Sequence, residues 1–177
     1  VYVPSTISGY VINSTLTIPA GVALVGDGRG LSMSRWNEAS AVAATTEPGA
    51  STLRLGNTTT SAIILRTNSR VEGLNLYYPT QAWGLTSVAS ALSSFGTTIQ
   101  LGDAADAGPF NCNVLAVNFL GASKAIGQYT SDGTAIRTLN IEDIGGWPTE
   151  YLLKVFRATD VLHIHNVHLT PNYLTPF

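Results

Sequence analysis

Short apolar runs, broken by Gly, Pro, Asn and Asp, recur from one end of the chain to the other. Tyr10-Val-Ile-Asn13, Thr15-Leu-Thr-Ile18 and Val22-Ala-Leu-Val25 place β-branched residues between turn residues, the mark of short strands. Pro19-Ala-Gly21 reads as a turn, and Gly26-Asp-Gly-Arg-Gly30 closes the third run. The rhythm resumes at Ser51-Thr-Leu-Arg-Leu55, Ala62-Ile-Ile-Leu65 and 70–78. No segment sustains a period of about 3.6, so the chain is predicted to be all-β. Two stretches interrupt the rhythm and are predicted to be loop insertions, at about 31–50 and 79–96. The first contains Trp36 and Glu38 and has room for a short helix over Asn37 to Ala44.

A second pattern lies over the first. Val71-Glu-Gly-Leu-Asn-Leu76, Val114-Leu-Ala-Val-Asn-Phe119, Ile136-Arg-Thr-Leu-Asn-Ile141 and Leu162-His-Ile-His-Asn-Val167 share one frame, an apolar residue followed four positions later by Asn and another apolar residue. The asparagines are Asn75, Asn118, Asn140 and Asn166, with gaps of 43, 22 and 26. The first gap is close to two periods of the second, with Thr97-Thr-Ile-Gln-Leu101 as the strand of the skipped rung. One strand and one Asn per period in the low twenties predicts a stacked solenoid. Rungs of a coiled parallel sheet lie about 4.8 Å apart. At that spacing, amides at an inward bend bond to one another, which satisfies a buried polar position. The four asparagines are therefore expected to form one ladder.

Composition fits one domain spanning 1–177. Apolar residues make up 45% of the 177, enough for a real core. Charged residues are only 11%, so solubility rests on hydroxyls and amides. The net charge of −2, without a basic block, argues against nucleic acid as a partner. Cys112 is the only cysteine, so no intramolecular disulfide exists, and it reads as a small apolar residue at a strand start. No apolar run reaches the length of a membrane span, and no membrane insertion is expected. The chain opens on Val1, inside a strand-like pattern, and ends without a polar cap, so a processed or partial chain is expected. An uncapped solenoid exposes a sheet edge, which further chain or a homo-oligomer should cover.

Val3-Pro4, Tyr10-Val-Ile12, Leu16-Thr-Ile-Pro-Ala-Gly-Val22 and Leu24-Val-Gly-Asp-Gly-Arg-Gly30 resemble the first coils of pectate-lyase-like right-handed parallel β-helices. That superfamily includes pectate lyases, polygalacturonase-like hydrolases and phage tailspikes. Val71-Glu-Gly-Leu-Asn-Leu-Tyr-Tyr-Pro-Thr-Gln81 and Asn166-Val-His-Leu-Thr-Pro-Asn-Tyr173 resemble a narrower, polygalacturonase-related branch. The resemblance covers nearly the whole chain and implies a single right-handed parallel β-helix working on polysaccharide. The polygalacturonase Asn-Thr-Asp, Asp-Asp, His-Gly and Arg-Ile-Lys set has no counterpart here, nor has a full calcium-lyase acid cluster.

Candidate chemistry follows from residue types. Neighbours on a strand point to opposite faces, so Glu142 and Asp143 share a side only if the chain bends there. A pair of carboxylates about 5–9 Å apart hydrolyses glycosides, and Asp160 or Asp103 are the partners considered for Asp143. Lys154, Arg157 and Asp160 combine cations with a base, as proton abstraction beside a uronate carboxylate requires. The catalytic candidates are thus Asp143, Lys154, Arg157 and Asp160; solvated turn acids and a surface ion-pair group are the plain alternatives. Tyr77, Tyr78, Gln81, Trp83, Trp147, Tyr151 and Tyr173 flank the strands, where rings pack on sugars and amides bond hydroxyls. Tyr78, just before Pro79, serves equally to pack the turn. His168 is added as a sugar ligand or a structural hydrogen bond. His163 and His165 share a face and His168 does not, which is too few for a transition metal, so stacked imidazoles are expected and no metal or cofactor. Gly26 to Gly30 lacks the Gly-Lys-Ser/Thr ending of a phosphate loop.

Two functions remain open on this reading. One is a secreted protein that binds and degrades polysaccharide, as glycosidase or lyase. The other is a structural or adhesive module, such as a segment of a trimeric spike on a virion surface.

Overall fold

The structure, a computed structural model, describes residues 1–6, 8–28, 50–56, 59–81, 93–130 and 134–169. Trp36, Glu38, the short helix over Asn37 to Ala44, Trp83 and Tyr173 lie outside the described residues.

Every element among the described residues is a strand. In chain order they are β1 (Tyr2–Val3), β2 (Tyr10–Ile12), β3 (Leu16–Ile18), β4 (Ala23–Gly26), β5 (Thr52–Leu55), β6 (Ile63–Leu65) and β7 (Arg70–Tyr77). Then follow β8 (Thr97–Leu101), β9 (Cys112–Leu120), β10 (Lys124–Gln128), β11 (Leu139–Gly146), β12 (Tyr151–Lys154) and β13 (Leu162–Leu169). The first sheet runs β1-β4-β7-β9-β11-β13, with β2 and β5 joined beside it onto β7. The second runs β12-β10-β8-β6-β3. All strand pairs are parallel, and the chain passes from one sheet to the other and back, an order consistent with a β-solenoid.

Bends shape the first sheet. The first half of β7 pairs with β4 and its second half with β5, so one bent strand continues two short ones. Its hinge is Gly73, at φ 66°. The same place in β9, β11 and β13 is held by Ala116, Asp143 and Asn166, at φ 51°, 60° and 51°. Left-handed backbone suits Gly first, then Asn and Asp, so Ala116 is the strained member. Gly73 is also confined by its neighbour: a Cβ there would lie 2.9 Å from the Gly26 carbonyl oxygen.

Inward residues build the core by alternation. Leu24, Val71, Val114, Ile141 and Ile164 stack from rung to rung in the first sheet. Ile63, Ile99, Ile126 and Leu153 do so in the second. The facing rows form one apolar cluster. Cys112 belongs to it; burial pushes its thiol up to about 11, so it behaves as a small apolar side chain. On β13 the stacked rows end uncovered, with Leu162 at 41% and Ile164 at 47% exposure.

Two expectations are corrected here. Thr97–Leu101 is not a rung between Asn75 and Asn118; it is β8 of the second sheet, and β7 pairs directly with β9. The 43-residue interval is therefore a single rung. The four asparagines also do not form one ladder. Partners are 43 residues apart from Arg70 to Asn113, 27 from Asn113 to Asn140 and 23 from Asn140 to His163. Asn75 and Asn118 do align, and Asn118 Nδ2 donates to Asn75 Oδ1 at 3.0 Å. Their row continues through Gly145 to His168. Asn140 instead aligns with Asn113, and Asn166 is a hinge. Asn75 and Asn118 are both buried, as a satisfied interior amide pair requires. The shared frame conceals different physical requirements, since Asn serves a stacked amide and a left-handed hinge equally well.

A second amide pair was not apparent from the frame. Asn68 and Asn111, both left-handed at φ 58° and 54°, precede β7 and β9, and Asn111 Nδ2 donates to Asn68 Oδ1 at 3.0 Å. Its signal is present in the sequence: Gly21, Asn68 and Asn111 each stand three residues before an inward Leu or Val.

Candidate functional site

The outer face of the first sheet gathers polar side chains by the same alternation. One row reads Arg70, Asn113, Asn140, His163 across four rungs, and the next reads Glu72, Leu115, Glu142, His165. Arg70 Nε lies 3.1 Å from Glu72 Oε2. At the other end His165 Nδ1 is 3.9 Å from Glu142 Oε1, with both side chains about half exposed or more. The His163 and His165 rings are 6.0 Å apart and tilted by 49°, so they are neighbours but not stacked. Arg70, Glu72 and Asn113 escaped the sequence reading, although simple alternation from Val71 and Val114 marks them.

Asp143 is the hinge of β11, and this meets the condition set by its position next to Glu142. The left-handed turn breaks the alternation, so both carboxylates reach solvent. Asn166 Nδ2, on the hinge one rung further on, hydrogen-bonds Asp143 Oδ1. Glu142, Asp143, His165 and Asn166 thus meet on two adjacent rungs.

The other catalytic candidates sit elsewhere. Lys154 ends β12 in the second sheet, with Nζ 5.9 Å from the Tyr151 ring centroid and 5.2 Å from that of Phe156. Arg157 and Asp160 lie between β12 and β13; the Arg157 amide donates to Gln128 Oε1 at 3.2 Å, and Thr138 Oγ1 donates to Asp160 Oδ2 at 3.3 Å. Asp103 is bound by Arg66 through Nε at 3.0 Å and Nη2 at 2.7 Å. Those bonds hold its carboxyl below the usual range.

Several expected sugar ligands are interior residues. Tyr78 is fully buried, stacks on Phe95 at 4.5 Å, and shares a 3.2 Å hydrogen bond with Thr98. Burial raises its hydroxyl to about 12. Gln81 is buried as well; its Nε2 donates to the Ser93 and Gly121 carbonyls, both at 3.1 Å, and its Oε1 accepts from the Ser93 amide at 2.9 Å. It ties Ser93 to the turn after β9. Tyr77 and Trp147 are also buried, and burial raises the Tyr77 hydroxyl. Tyr151 is half-buried, with its hydroxyl 3.3 Å from Thr97 Oγ1. His168 is exposed on β13, opposite Gly145. These aromatics sit where strands turn, and turns of a solenoid need filling as much as a groove needs lining.

Among the described residues, no group of three His, Cys, Asp or Glu side chains is arranged to hold a metal ion, and no helix is long and apolar enough to cross a membrane. Comparison with protein-family models, curated proteins and solved structures finds no match for this chain.

Proposed function

We propose that this chain is a right-handed parallel β-helix that binds an extended polysaccharide along the outer face of its first sheet. Right-handed crossing is the rule for connections between parallel strands of one sheet. The observation that carries the binding reading is the pair of outer rows on β7, β9, β11 and β13, polar at every position but Leu115. With rungs about 4.8 Å apart, the rows offer amide, carboxylate, guanidinium and imidazole groups over roughly 14 Å. A straight line of such groups suits a linear, hydroxyl-rich polymer better than a compact ligand. The resemblance of the opening coils to secreted and virion-surface β-helices supports an activity outside the cell.

Glu142 and Asp143 are the proposed centre of polysaccharide degradation. Two accessible carboxylates beside an imidazole suit general acid–base cleavage of a glycosidic bond. The test is binding and release on a panel of neutral and acidic polysaccharides, read by affinity electrophoresis, reducing ends and absorbance near 235 nm. Glu142→Gln and Asp143→Asn are expected to abolish release while leaving binding intact; Asn tolerates the left-handed hinge. Release that survives both substitutions would remove the proposed centre.

One observation favours a second reading, a structural or adhesive module within an assembly. Leu162, Ile164, Val167 and Leu169 of β13 are all exposed, as apolar rows waiting for a further layer would be. A stable trimer in solution with no sugar release would support it.

A further inference from the structure

Where the second sheet gives way to the turn that follows it, two large rings stand in water on adjacent rungs. Gly127 of β10 aligns with Lys154 of β12, and two residues beyond each come Tyr129 and Phe156. They are 44% and 49% exposed. The turn beneath them is pinned. Gln128 is buried, and its Oε1 accepts from the Phe156 amide at 2.9 Å and the Arg157 amide at 3.2 Å. The Tyr129 amide donates to the Leu101 carbonyl at 3.1 Å.

Lys154 belongs to the same patch. Its Nζ lies 5.2 Å from the Phe156 ring centroid and 5.9 Å from that of Tyr151, within cation–π reach of both. Tyr151 is itself held, with its hydroxyl 3.3 Å from Thr97 Oγ1. Among the described residues, Lys154 forms no ion pair. Of the acids nearest to it in sequence, Glu150 pairs with Lys124 at 3.5 Å. Asp160 meets only the neutral hydroxyl of Thr138, just before β11, and still counts as a charge. Residues 151–160 thus carry two cations, Lys154 and Arg157, against one acid.

We propose that Tyr129, Lys154 and Phe156 form a second sugar site, which takes an anionic saccharide with a ring against the aromatic side chains and a carboxylate against the lysine. Exposed rings on rungs about 4.8 Å apart leave apolar surface that a soluble chain ordinarily covers. The C–H face of a sugar covers such surface while its hydroxyls stay in water. An ammonium has three donors, and the rings that steady Lys154 occupy none of them with a charged acceptor. A carboxylate on the sugar supplies one. The site lies on the second sheet, away from the polar rows of the first. It shares with the polysaccharide reading only the class of ligand, and adds the sign of its charge.

The experiment measures affinity electrophoresis at constant ionic strength with three polymers. Carboxymethylcellulose and hydroxyethylcellulose share a backbone and differ in charge; poly-L-glutamate has the charge without the sugar. Wild type is expected to bind carboxymethylcellulose most tightly. Lys154→Gln should weaken that binding about threefold, the size of an exposed charge pair, and leave hydroxyethylcellulose unchanged. Lys154→Arg should keep it. Phe156→Ala should weaken both cellulose derivatives, by about fivefold. The side chains are exposed, and circular dichroism checks that each variant folds. Unchanged affinity for carboxymethylcellulose in the Lys154→Gln, Phe156→Ala double variant would overturn the proposal. So would equal losses on both cellulose derivatives in Lys154→Gln, or poly-L-glutamate bound as tightly as carboxymethylcellulose, which would mark a surface for acidic peptide. If the double variant binds both derivatives as wild type does, only this site falls; if wild type binds neither, the polysaccharide reading falls with it.

Discussion

Asn118 donates its side-chain amide to the side chain of Asn75 across adjacent rungs, at 3.0 Å, with both residues essentially inaccessible to water. Asn75 in turn donates to Thr52 Oγ1 at 3.4 Å, which carries the polar row onto a third strand. A buried polar row of this kind stabilises only while its members bond one another. Breaking it leaves a desolvated amide without its partner.

Asn118→Ala is therefore expected to cost about 1–3 kcal/mol, read as a lowered urea midpoint. Asn140→Ala is the contrasting variant. Asn140 lies off this row, and its buried Oδ1 has no partner, so removing it should change stability by less than about 0.5 kcal/mol. Equal losses in the two variants would contradict the pairing of β9 with β11.

Ala116 occupies a left-handed hinge that its aligned neighbours fill with Gly73, Asp143 and Asn166. Ala116→Gly should relieve the clash of Cβ with the backbone and stabilise by about 0.5–1 kcal/mol, after the entropy cost of glycine. Ala116→Val should destabilise. Thermal midpoints of the two variants, moving in opposite directions, are the check.

Asp103 is held below its usual carboxylate range chiefly by the hydrogen bonds from Arg66. A depressed carboxyl contributes stability above its unfolded value, near 3.9, and that contribution fades as pH falls through the folded value. Wild type should therefore lose stability below about pH 4 more steeply than Arg66→Gln, in which the chief cause of the depression is gone and only the backbone bonds from Ala105 and Asp106 remain. Urea midpoints between about pH 2 and 6 measure it; parallel curves would show that the pair contributes nothing.

The strands were legible because alternation and turn residues are local. Tyr10–Ile12, Leu16–Ile18, Thr52–Leu55 and Ile63–Leu65 all lie within the runs marked by β-branched residues between Gly, Pro and Asn. Asn75 and Asn118 were expected in one ladder and do align, but as direct neighbours, without the intervening rung that the 43-residue gap suggested. Extending the frame to Asn140 and Asn166 failed. Strand alignment depends on how many residues each turn and excursion consumes, and a six-residue frame has no access to that count.

Candidate chemistry divides along the same line. That Glu142 and Asp143 were worth attention was visible in the sequence; that both reach solvent depends on the hinge at Asp143. Tyr78 and Gln81 carry the right atoms for a sugar, yet packing sends the ring against Phe95 and the amide onto the backbone around Ser93 and Gly121. Residue type limits what a side chain can do, and its alternation along a strand limits which way it can face. Both are properties of the chain read in order. Which side chains become neighbours, and which are sealed from water, depends on contacts between residues tens of positions apart. Those were settled only when the strands stacked.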